Sequence, residues 1–103
     1  MALRVADPDR PAFQLRPGEQ GLSVFIPELV SPPLTEGEIL SCFRAGSLIV
    51  SRSKEEIEGK GLEIHVIAGA DPLPQRLRQA HAEIRAGRGM SRAQFKRALK
   101  ELE

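Results

Sequence analysis

Apolar residues along this chain recur with two periods, two and about 3.6, and the switch between them marks out a series of short elements. Phe13 and Leu15 alternate with Gln14 and Arg16. Beyond Pro17-Gly18, Leu22, Val24 and Ile26 alternate with Ser23 and Phe25. Period two predicts half-buried strands, and the Pro-Gly break between them predicts a hairpin. "SLIVS" predicts a third strand and "LEIHVIAG" a fourth, with Leu62, Ile64 and Val66 on one face. Ile67 makes the opposite face of that strand partly apolar, as if it too were covered. Residues 1–12 carry no such rhythm and read as a loose arm, and Pro32-Pro33 excludes regular structure in the connection before residue 35.

Helical spacing appears four times. Thr35 and Glu38, Ser53 and Glu56, and Ser91 and Gln94 each have the spacing of a capping box, in which two side chains satisfy backbone N–H groups at a helix start. Ile39, Leu40 and Phe43 share one face of the first helix, with Gly46 placed to end it. Lys60-Gly61 stop the second. Leu73, Leu77, Ala80 and Ile84 form one stripe, which predicts a helix of about three turns broken by Gly87 and Gly89. In the last helix Phe95, Ala98, Leu99 and Leu102 follow i, i+3, i+4, i+7, and Met90 before the cap is spaced to staple onto Phe95. The predicted order is β-β-α-β-α-β-α-α. The fold class is α+β: one domain over residues 1–103, a small mixed sheet of about four strands, covering helices, and a C-terminal αα-hairpin over residues 73–103.

Composition changes this picture little. Hydrophobic residues make up 41% and charged residues 28%, as in ordinary globular proteins. The core has to be aliphatic, because Trp and Tyr are absent and there are four Phe. One cysteine, Cys42, forms no internal disulfide and suits a reducing cytoplasm. The opening residues lack the apolar run of a signal peptide, and no stretch is long and apolar enough to span a membrane.

Charge changes it more. Residues 73–103 hold eight Lys/Arg and three Glu, a net of +5, while residues 1–72 carry a net of −4. The candidate contacts for an anionic partner are Arg78, Arg85, Arg88, Arg92, Lys96, Arg97 and Lys100. Two helices with a basic second member are also what a helix-turn-helix reader of DNA requires. Such readers carry a third core helix, which this sequence does not supply. Asn is absent, and Gln94, the single glutamine of the last helix, is committed to its cap. Attraction between the oppositely charged halves, within one molecule or between two, accounts for the same asymmetry. Single-stranded nucleic acid needs aromatic stacking platforms, which are scarce here.

Catalytic signatures are missing. Cys42 lies among apolar neighbours and reads as buried and inert, with no base placed beside it by a local motif. His65 and His81 have no metal-ligand spacing, Glu55, Glu56 and Glu58 form a solvated first helical turn, and no phosphate-binding glycine loop occurs. The expectation is therefore no cofactor and no metal. The segment Phe13-x-Leu15-Arg16-Pro17-x-Glu19-x-Gly21-Leu22-Ser23-Val24 resembles a stretch found in small bacterial proteins of unknown role; it covers about a tenth of the chain and implies no activity. The function expected is macromolecular binding, most of all protein or a second copy in a homodimer. The alternative is a small DNA-binding regulator using the last two helices.

Overall fold

The computed structural model describes all 103 residues. Five antiparallel strands form one sheet: β1 (Ala2–Ala6), β2 (Gly21–Phe25), β3 (Leu48–Arg52), β4 (Glu63–Val66) and β5 (His81–Arg85), in the spatial order β3-β1-β2-β5-β4. Four helices accompany them: α1 (Glu36–Leu40), α2 (Lys54–Gly59), α3 (Gln75–Ala80) and α4 (Arg92–Lys100), with a 3-10 turn at Pro27–Leu29. All three capping boxes form, at Thr35, Ser53 and Ser91. Each leaves its helix start with backbone N–H groups satisfied by a neighbouring side chain.

The sheet separates two cores. Leu22 and Val24 of β2 and Ala82 and Ile84 of β5 point to one face, where they meet Ile57 of α2 and Phe95, Ala98 and Leu99 of α4. Ala2, Phe13, Leu15, Leu62 and Leu102 complete that larger core. On the other face Leu3 and Phe25 meet Val30, Leu34, Ile39 of α1, and Leu77 and Ala80 of α3. The alternation of side chains along each strand makes the division possible, since neighbouring residues serve opposite cores.

Four expectations are corrected. The sheet has five strands, not about four, and every pairing is antiparallel rather than mixed. The C-terminal αα-hairpin does not form: α3 stops at Ala80 and the chain continues as β5, an inner strand between β2 and β4. Residues 1–12 are not a loose arm, because β1 lies between β3 and β2. Phe13 and Leu15 are buried as expected but belong to no strand; the segment lies over the sheet, with the Phe13 amide donating to a Glu103 carboxylate oxygen.

Arg4 explains an irregularity in this sheet. β1 and β2 pair only at Leu3 and Phe25. Beyond that point Arg4 wedges the strands apart, its Nε donating to Ala12 O at 2.9 Å and Nη1 to Ser23 O at 3.0 Å. The Nη1 donor takes the place of the backbone N–H that a strand neighbour would have given the Ser23 carbonyl. Burial holds its pKa below the ordinary arginine value, partly offset by the charge of Glu19.

Candidate functional site

The basic residues named from sequence do not form one stripe. Arg78 pairs with Asp71 (Nη1–Oδ1 3.1 Å), and Arg85 places Nε and Nη2 on Glu83 Oε1 at 2.9 and 2.7 Å. Arg92 is spent on the backbone of the loop before β2, donating to Glu19 O at 2.7 Å and Arg16 O at 3.2 Å. The remaining four flank α4 on two sides. Arg88 and Arg97 join Lys60 around an open groove of about 400 Å³, where Glu101 stands 3.8 Å from Lys60 Nζ. Lys96 and Lys100 border a separate groove beside Phe13 and Glu103. Since residues 81–85 are a strand, α3 and α4 do not follow one another as a hairpin of two helices.

A third concavity, of about 470 Å³, opens where Arg4 separates β1 from β2. Phe25, Phe43 and Leu73 line it together with Ser23, His81 and Glu83. The register sets Ser23 of β2 opposite Glu83 of β5, on the face that also carries His81. Here sequence reasoning missed a cluster, because it laid His81 and Glu83 on a helix. The His81 Nδ1–H donates to Ile67 O at 2.7 Å, which leaves Nε2 as the acceptor in the neutral ring. That ring is buried edge-on against Phe25. Ser23 Oγ makes no hydrogen bond to His81 or Glu83, and Glu83 already holds Arg85. A nucleophile needs its base within hydrogen-bond reach, so these three residues are not arranged as a catalytic unit.

Cys42 was expected to be buried and is exposed. The helix that would have carried it inward with Ile39 ends at Leu40, and the chain turns away. Phe43, on the same turn, is 37% exposed and rests edge-on against Phe25, their centroids 6.1 Å apart. No group of three His, Cys, Asp or Glu side chains stands close enough to hold a metal ion.

An open sheet edge lies along β4. This strand pairs with β5 on one side, and no other strand borders it. Its outward N–H and C=O groups therefore present a strand template. Val66 is 61% exposed at its end. Beside it Met1, Ala2, Ile26 and Ile64 line a largely apolar groove of about 250 Å³ on the same side of the molecule. On the other face of β4 His65 Nε2 and Glu63 Oε1 lie 2.8 Å apart. The opposite edge strand, β3, ends in Arg52, whose guanidinium bonds Ser51 O and Leu102 O. β4 carries no Lys, Arg or Pro, the residues that most often guard an edge. No helix is long and apolar enough to cross a membrane. Comparison of this chain with protein-family models, with curated proteins and with solved structures finds no match.

Proposed function

We propose that this chain acts by binding protein, through strand addition at β4, and that the partner it fits best is a second copy of itself. The observation that carries the reading is the coincidence of an unpaired strand edge with exposed Val66 and an adjoining apolar groove. Backbone groups on such an edge give affinity to any extended chain, and apolar side chains beside it add burial. A domain of 103 residues buries only a moderate share of its surface alone, and two-fold dimers are the commonest way to bury more. The exposed, unpaired thiol of Cys42 supports placing the protein in a reducing cytoplasm.

The DNA-binding alternative has less to support it. Of the seven basic candidates, Arg78, Arg85 and Arg92 are engaged within the molecule, and the other four face two separate grooves. Light scattering at tens of micromolar tests the proposal. The expected mass is twice 11.3 kDa for the wild type and 11.3 kDa for Val66→Lys, a substitution at an exposed position that leaves the fold intact. A wild type that stays at 11.3 kDa overturns the reading.

A further inference from the structure

We infer that two copies join β4 to β4 in one register only, antiparallel and centred on Ile64, to make a continuous ten-stranded sheet. This rests on the reading that β4 is the binding edge, and adds which residues meet across it. The argument begins with symmetry. Two identical antiparallel edges in one sheet are related by a two-fold axis normal to that sheet. Side chains directly opposite each other point to the same face. On one strand, residues sharing a face are an even number apart. The axis must therefore pass beside a residue that faces its own copy.

That leaves a short set of registers along β4 and its neighbours. Centring on Glu63 sets two carboxylates against each other and brings Gly61 opposite His65. Centring on His65 opposes two imidazoles and puts Glu63 against the apolar Ile67. Centring on Val66 puts Ile64 against Ala68 and leaves Glu63 opposite Gly69. Centring on Ile64 instead sets Glu63 opposite His65 twice, once on each side of the axis, and Leu62 opposite Val66 twice. Ile64 then meets Ile64 on the apolar face. It is the one register in which unlike groups of opposite charge tendency face each other and apolar residues face apolar residues.

The structure leaves Glu63, Ile64, His65 and Val66 accessible at this edge, while Leu62 is buried and already belongs to the larger core. Glu63 and His65 lie on one face of β4, exposed or half-exposed, and already sit 2.8 Å apart within the strand. Two such pairs brought together alternate carboxylate and imidazole around the axis. Ile64 and Val66 lie on the other face and border the groove formed with Met1 and Ile26.

Crosslinking reads the register directly. Cys42, being exposed, is first changed to Ser to remove the native thiol. Single cysteines are then placed by Glu63→Cys, Ile64→Cys or His65→Cys, and copper–phenanthroline is used as oxidant. Residues directly opposite across antiparallel strands have Cα atoms about 4.5–5.5 Å apart, within the range a disulfide spans. Ile64→Cys is expected to give a covalent dimer by itself. Glu63→Cys and His65→Cys are expected to give one only when mixed. Because Ile64→Cys trims a half-buried side chain, charge exchange provides a second measurement. His65→Glu opposes two pairs of carboxylates and is expected to weaken the dimer roughly tenfold. Adding Glu63→Lys to it restores opposite charges in this register and in no other, and is expected to recover the affinity. A dimer in which His65→Cys crosslinks with itself, or in which the double charge variant stays weak, overturns the register while leaving β4 as the binding edge. A monomer at all concentrations overturns both.

Discussion

Gly87 offers a sharp test of how the β4–β5 pair is held in place. Continuing the register beyond Glu63 and Arg85 brings Gly61 opposite Gly87, where the two backbones nearly touch. A Cβ placed on Gly87 would stand 1.8 Å from Gly61 O. A carbon–oxygen contact needs roughly 3.3 Å, so the backbones would have to part by about 1.5 Å. No rotamer relieves this, because the obstruction is main chain, and Gly61 is itself fixed at a φ of +81° as the chain leaves α2. Overpacking costs about 1–3 kcal/mol in general, and a backbone collision belongs at the upper end, so Gly87→Ala should destabilise by about 3 kcal/mol. Gly59→Ala is the matched control. It adds the same methyl group at the last residue of α2, where nothing lies within 4 Å. There the gain in helix propensity should stabilise by about 0.5–1 kcal/mol. The chain has no Trp or Tyr, so urea unfolding is best followed by far-ultraviolet circular dichroism. A Gly87→Ala protein within about 0.5 kcal/mol of wild type would refute the close crossing, and with it the account of what holds the β4 edge in position.

Phe95, 3% exposed in the larger core, should cost about 3–5 kcal/mol on substitution by Ala, whereas Lys96→Ala on the exposed side of the same helix should change stability by less than about 0.5 kcal/mol. Equal effects would mean that α4 is turned the wrong way. The hydrogen bond from Arg76 Nε (2.7 Å) holds the Glu38 carboxyl below its usual pKa, with the Thr35 backbone N–H assisting. Because the folded-state value is the depressed one, the pair stabilises the fold above the unfolded pKa of about 4.3 and ceases to do so as pH falls through the folded value. Glu38→Gln should therefore match wild type in strong acid and fall below it at neutral pH; a stability gap that persists unchanged into strong acid would contradict this.

Local signals in the sequence were read well wherever the chain answers to its neighbours a few residues away. The three capping boxes and the buried face of α4 are of that kind, since a cap and an i, i+3, i+4 stripe are decided within two turns of helix. Gly61 likewise takes the left-handed conformation that ends α2, at a φ of +81°, whereas Gly46, at +89°, lies in a separate turn because α1 has already ended at Leu40. The site was less legible. The sequence names the basic side chains, but their partners (Asp71, Glu83 and the carbonyls of Arg16 and Glu19) are set by tertiary contacts that no spacing reveals.

The strands show why the reading failed where it did. β4 shows clean alternation because the face carrying Glu63 and His65 is largely open to solvent while the face carrying Leu62 and Ile64 packs on the larger core. β1 and β5 are inner strands with both faces covered, so Ala2 and Leu3, or His81 and Ala82, are buried side by side and the alternation is lost. β1 then read as an arm. β5 was misread for a more specific reason. Leu73, Leu77, Ala80 and Ile84 have perfect helical spacing, yet in the structure Leu77 and Ala80 serve the core on one side of the sheet and Ile84 the core on the other. The stripe is real, but it is divided between two cores, with α3 supplying its first part and an inner strand its last. What makes the end of that stripe a strand is pairing with β2 and β4, two segments far away in the chain. The same pairing leaves β4 outermost, so the exposed edge on which binding is proposed is a consequence of the sheet order rather than of any motif in β4 itself.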